Sequence, residues 1–165
     1  MPYVTKYYKN TFVAYSYSKS LSLPGERIGY LAVPSDMDGY AEIWPALATA
    51  NRILGFVNSP SLIQRVAAVC ADTLVDTSVY EENRNILYDN LTEMGYECFK
   101  PQGAFYLFPK SPVPDEKAFC EAAKRFRLII VPGGAFGTPG YFRIAYCVKR
   151  DTVVNSLNSF REAIK

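Results

Sequence analysis

No histidine occurs in the 165-residue chain. That absence excludes a self-contained Ser-His-Asp triad, a histidine-paired thiol nucleophile and a histidine-bound metal. Any acid–base chemistry must fall to a lysine, a tyrosine or a carboxylate. Cysteine is sparse. Cys70, Cys98, Cys120 and Cys147 are widely spaced, with no C-x-x-C pair, and read as buried reduced thiols rather than a disulfide frame or zinc site. Neither sign of charge dominates: 18 basic and 16 acidic residues are interspersed, for a net charge of +2. Without a basic run, nucleic acid and anionic membrane surfaces are not expected as partners. No apolar stretch approaches the roughly 20 residues of a membrane-spanning helix. The N-terminal Met-Pro-Tyr-Val-Thr-Lys-Tyr-Tyr carries no signal-peptide core, so the cytoplasm is the expected location. Repeats and low-complexity tracts are absent too.

What is present is a globular composition, 49% hydrophobic, able to bury a core. Residues 11–17 and 28–33 are β-branched, aromatic and apolar enough for strands. Pro34-Ser35-Asp36 marks a turn and a helix start, and Pro45 is expected to interrupt any long helix over 38–56. Ser59-Pro60-Ser61 opens a helix with Leu62, Ile63, Val66, Ala67, Val69 and Cys70 on one apolar stripe. Ser78 and Glu81 form a capping-box pattern ahead of a helix with Ile86, Leu87, Asn90, Leu91 and Met94 on its face and Gly95 as its stop. An α/β alternation follows: strands over 96–100 and 104–108, a helix carrying Phe119, Ala122, Ala123 and Phe126, and a short strand over 128–131. A glycine-rich loop over 132–137, a strand over 141–148 and a last helix capped by Asp151 complete it. The pattern divides the chain into residues 1–70, ill equipped to bury their own apolar faces, and an α/β unit of residues 71–165.

The chemistry concentrates between the first two strands. Lys19 sits among the hydroxyls of Ser16, Ser18, Ser20 and Ser22, and Arg27 follows between Gly25 and Gly29. Alone, Lys19 would read as a solvated loop lysine and Arg27 as a surface cation. Together they suit a phosphate-bearing aldehyde: hydroxyls and guanidinium bind phosphate through charge-assisted hydrogen bonds, and a primary amine forms a Schiff base with a carbonyl. Ser-x-Ser-Lys followed by Gly-x-Arg-x-Gly resembles the lysine block of the class I/II aminotransferases, pyridoxal 5'-phosphate enzymes of fold type I. Ser16, Ser18, Lys19, Gly25, Arg27 and Gly29 all match it.

A second cluster lies in the strand over 141–148. Alternation puts Phe142, Ile144, Tyr146 and Val148 on one face, and Tyr141, Arg143, Ala145 and Cys147 on the other. Arg143 is a charge in an apolar strand, costly to bury unless an anion pairs with it. By itself it would be an internal salt bridge or a residue facing water from an edge. The same family ends in a Phe-Arg-[Ile/Leu] strand after a Pro-Gly-x-x-Phe-Gly loop, and Pro132, Gly133, Phe136, Gly137, Phe142 and Arg143 match. Pro101-x-Gly103-Ala104-Phe105-Tyr106 matches a further family segment, with an ordinary hairpin as its alternative. Gly133, Gly134 and Gly137 are not a P-loop, because no Lys-[Ser/Thr] follows.

The resemblance implies the C-terminal part of a fold type I PLP-dependent transferase: a C-terminal piece of the cofactor-binding large domain over residues 1–70 and a small α/β domain over 71–165. Lys19 would be the catalytic lysine bound to the cofactor, Ser16, Ser18 and Arg27 the phosphate ligands, and Arg143 the clamp on the substrate α-carboxylate. Amino acids and 2-oxo acids would be the substrates and a homodimer the assembly, with Asn51-Arg52 and Asn58-Ser59-Pro60 facing a partner. No metal is implied. The residues that hold the pyridine ring in this family match nothing here, so this stretch alone is expected to be inactive. A carbon–sulfur lyase of the same fold type, an inert remnant and an aminotransferase-like regulatory domain are the alternatives.

Overall fold

A computed structural model describes residues 3–165. Met1 and Pro2, which belong to the N-terminal stretch and to the expected 1–70 unit, lie outside the described residues. The chain divides into two compact units, one ending at Val75 and the other running from Asp76 to Lys165.

In the first unit, β1 (Val13–Ser16) and β2 (Gly29–Ala32) form an antiparallel pair in the register Val13↔Ala32 to Ser16↔Gly29. Between them lies a one-turn helix, α1 (Tyr17–Ser20), where a plain loop was expected. Two strands alone are marginal. Here the directly opposed Tyr15 and Tyr30 stack at 5.1 Å, and Tyr17 meets Tyr15 edge-on at 5.3 Å, which reinforces the pair. Then come α2 (Tyr40–Ile53) and α3 (Ser61–Val69). Contrary to expectation, α2 runs straight through Pro45. The proline removes the bond to the carbonyl of Ala41, but a single lost bond near the start does not stop a helix held on both sides of it. The apolar stripe of α3 forms but stays largely outside: only Ala67 is buried, while Leu62 is 74% and Val69 86% exposed. Ile28, Met37 and Ala67 are the buried apolar residues described in this unit.

The second unit holds the core. Its elements are α4 (Ser78–Glu93), β3 (Tyr106–Leu107), α5 (Glu116–Ala123), β4 (Val131–Pro132), β5 (Phe142–Ala145) and α6 (Arg150–Ala163). The three strands form an antiparallel sheet in the order β3-β5-β4, so β5 is central. Leu87 and Leu91 of α4, Phe119 of α5, Phe142 and Ile144 of β5, and Val153 and Phe160 of α6 are buried together. The helix starts differ from expectation. Asp76, not a Ser78–Glu81 box, accepts the Ser78 N–H at 2.9 Å, and Glu81 is drawn to Arg84 at 2.8 Å. The last helix begins at Arg150, so Asp151 lies in its first turn rather than at its cap. Asp115 does cap α5, accepting from Lys117 and Ala118.

All four cysteines are free thiols, but only Cys120 is buried; Cys70 and Cys98 are half-buried and Cys147, just past the end of β5, is exposed. Burial pushes the Cys98 and Cys120 thiols from 9.0 up to about 11. It pushes Tyr96, whose hydroxyl donates to the Phe160 carbonyl at 2.9 Å, from 10.0 up to about 12. These groups stay protonated in the folded unit after their unfolded counterparts have ionised. Stability is therefore complete below pH 9 and falls as pH rises toward 11. Urea unfolding at pH 8, 9.5 and 10.5 is expected to give falling midpoints, and Cys98→Ala combined with Cys120→Ala should flatten that fall.

Candidate active site

Ser16 ends β1 and caps α1. Its Oγ accepts the Ser18 N–H at 3.2 Å and donates to Ser18 Oγ at 2.9 Å. The Tyr17 N–H donates to the Ile28 carbonyl at 3.1 Å, which extends the strand pairing one step past Gly29. This step seats the Ser16–Lys19 turn at the same end of the hairpin as Arg27. Lys19 is exposed within α1, and the Ser22 N–H donates to its carbonyl at 3.3 Å. Ser20 Oγ is buried and lacks a hydrogen-bond partner. Arg27 is held with φ at 50°, a left-handed conformation uncommon for a side-chain-bearing residue. One of its guanidinium nitrogens donates to the Pro24 carbonyl at 3.0 Å, leaving further donors at an exposed position. Arg27 also lines a cleft of about 830 Å³ with Gly29, Tyr30, Trp44 and Asn51, whereas Ser16, Ser18 and Lys19 do not line it.

The hairpin leaves no space at Gly29, where a Cβ would stand 2.3 Å from the Tyr15 carbonyl oxygen. Gly29→Ala must part the strands that align Ser16 and Arg27. A cost of about 1–3 kcal/mol is expected, typical of forced overpacking. Loss of the Tyr15–Tyr30 ring-current shifts in NMR spectra would report the displacement, and unchanged shifts would refute the pairing.

Arg143 stands in the central strand of the other unit and is half-buried. Neither an internal salt bridge nor an open edge describes it. Its Cζ lies 3.9 Å from the Phe136 ring centroid and 4.3 Å from that of Tyr106. Among the described residues its guanidinium enters no ion pair and no hydrogen bond. Phe136 and Tyr106 both belong to sequence motifs, yet no periodicity links positions 106, 136 and 143; only the folded sheet brings them together. Asn83 was also missed by the sequence. It is fully buried in α4 and donates to the Tyr146 and Val148 carbonyls at 3.0 and 2.8 Å, fixing the exit of β5.

The α/β architecture is that of part of a fold type I aminotransferase. An aminotransferase structure from Eubacterium rectale superposes with a TM-score of 0.89 at 51% identity, covering 98% of this chain and 41% of that one. The aspartate aminotransferase of Thermotoga maritima gives a TM-score of 0.76 at 27% identity, over 92% of this chain and 39% of the other. The chain belongs to the family of class I and II aminotransferases, whose family model matches residues 3–160. It is 33% identical to the aspartate aminotransferase of Geobacillus stearothermophilus across 93% of its own length, and 31% identical to a probable N-acetyl-LL-diaminopimelate aminotransferase of Bacillus subtilis across 90%. It spans 42% and 38% of those two proteins. No helix among the described residues is long and apolar enough to cross a membrane.

Proposed function

We propose that this chain supplies the lysine end and the carboxylate clamp of a pyridoxal 5'-phosphate-dependent aminotransferase. The observation that carries this is the hairpin end, where two hydrogen-bonded hydroxyls, an amine and a guanidinium are aligned by a single strand pairing. The donor set fits the phosphate and aldehyde of the cofactor. Ser16 and Ser18 offer hydroxyls, Arg27 offers free donors, and the orphaned Ser20 hydroxyl marks a polar spot without an internal partner. Ser16, Ser18 and Arg27 would hold the phosphate, and Lys19 the aldehyde carbon. Pyridoxal phosphate, when bound, supplies a carbonyl that condenses with amines and a ring that withdraws electrons from the neighbouring carbon. The Lys19 amine would be the base that takes a proton from the substrate α-carbon and returns one. Arg143 orients the substrate by pairing bidentately with its α-carboxylate.

The substrates are then amino acids and 2-oxo acids. The relatives named above are aminotransferases, which favours amino-group transfer over the lyase reading. Residues 1–70 serve as a piece of the cofactor-binding domain and 71–165 as the small domain. A homodimer is the proposed assembly, and the uncovered apolar face of α3 suits a unit that packs against more protein. The 165-residue chain by itself is expected to have no measurable transaminase turnover. The test is incubation of the purified chain with pyridoxal phosphate, borohydride reduction and peptide mapping. One reduced adduct at Lys19 is the expected result; labelling spread evenly over surface lysines would overturn the assignment.

A further inference from the structure

We propose that Phe136 and Tyr106 are positioning residues for Arg143, clamping its guanidinium between two rings so that only its N–H edges remain open to a carboxylate. This rests on the role given to Arg143 above. The guanidinium carbon lies over two rings, 3.9 Å from the centroid of Phe136 and 4.3 Å from that of Tyr106. Each contact satisfies the charge through the ring quadrupole without using a hydrogen-bond donor. A salt bridge would have oriented the group too, but would have consumed the donors that a substrate needs. None of those donors is taken within the described residues, although the side chain is half-buried.

Both rings are themselves held in place. Phe136 ends a 3-10 turn (Gly133–Phe136) that is locked to the start of β5. There the Gly133 N–H donates to the Tyr141 carbonyl at 2.7 Å and the Thr138 N–H to the Gly133 carbonyl at 3.1 Å. A Cβ at Gly133 would lie 2.3 Å from the Thr138 oxygen and 2.6 Å from that of Tyr141, so the turn can sit this close only with glycine. Gly137 leaves the turn in the left-handed conformation. Phe108 supports the Phe136 ring edge-on at 6.2 Å. Tyr106 lies opposite Ala145 on the adjoining strand, diagonal to Arg143 on the same face, and Phe105 packs on it at 4.7 Å. Arg143 therefore meets its ligand with its rotamer already chosen, which removes an ordering cost from binding.

The experiment is NMR of the full 165-residue chain, following the Arg143 Nε–Hε resonance during titration with pyruvate, against sodium chloride at equal ionic strength. In the wild type that resonance is expected to be ring-shielded, to show slowed Cζ–Nε rotation, and to shift with pyruvate. Phe136→Leu and Tyr106→Leu, which keep apolar bulk but remove a ring face, should each abolish part of the shielding. Each should raise the dissociation constant about five- to ten-fold, as expected for one newly mobile long side chain. Phe136→Tyr and Tyr106→Phe should bind pyruvate as the wild type does. Wild-type affinity in both leucine variants would overturn the positioning role while leaving the carboxylate role of Arg143 intact. An Arg143 resonance in the wild type that ignores pyruvate would overturn the carboxylate role and this proposal with it. Free guanidinium rotation in the wild type would overturn the clamp without recourse to any variant.

Discussion

Lys19→Ala is expected to abolish the reduced pyridoxyl adduct at this site completely while leaving the fold intact. The covalent bond needs a primary amine, and the remaining groups at the hairpin end are hydroxyls and a guanidinium, which hold phosphate but cannot condense with an aldehyde. Lys19 is exposed and its helix is a single turn, so truncation removes little packing. Its circular dichroism and melting temperature should match the wild type. Reversible phosphate binding should survive, because Ser16 and Ser18 still offer hydroxyls bonded to one another and Arg27 is still anchored on the Pro24 carbonyl. The decisive measurement is a quantitative peptide map after borohydride. Equal labelling of neighbouring lysines in the variant and the wild type, with only the Lys19 peptide losing its adduct, would establish selectivity. An unchanged total with no loss of a particular peptide would refute it.

Phe142→Ala should produce the largest loss of stability of any single truncation next to the site. The ring is fully buried in the central strand and packs against Phe119 at 5.0 Å and Tyr96 at 5.9 Å. Truncating such a ring costs about 3–5 kcal/mol, since the flanking Phe119 and Tyr96 rings cannot close fully on the cavity. Against a domain stability of about 5–15 kcal/mol, that is a large fraction. Calorimetry should register a fall in melting temperature of more than about 10 °C, given about 4–8 °C per kcal/mol for a unit of this size. A fall of only a few degrees would mean that the core at β5 is not packed as described. Because Arg143 is the next residue, the same variant should also blur the ring-shielded Arg143 resonance.

Much of this molecule was legible in the sequence where interactions are local. The alternation that buries Phe142 and Ile144 and turns Arg143 to the other face holds in β5. The helix stop at Gly95 falls at the expected position, with the glycine at positive φ. The order of Ser16, Ser18, Lys19, Gly25, Arg27 and Gly29 carried the resemblance to the family that the chain matches over residues 3–160. The helix through Pro45 and the absence of a Ser78–Glu81 box depart from the sequence reading, because the helix continues past one missing backbone bond and the Ser78 N–H and Glu81 find other partners in Asp76 and Arg84.

By itself the sequence determined the chemical inventory: an amine, hydroxyls and two guanidiniums with no histidine, in an order that marks the family. Tertiary structure alone decided how those groups are held. Pairing of β1 with β2 sets the Lys19 turn and Arg27 at one end of a hairpin, and β3 together with the Gly133–Phe136 turn brings two rings to Arg143 of β5. It also decided that the apolar stripe of α3 stays uncovered while that of α4 is buried. The reason is physical. Periodicity states which side chains share a face, whereas what covers that face depends on segments far apart along the chain.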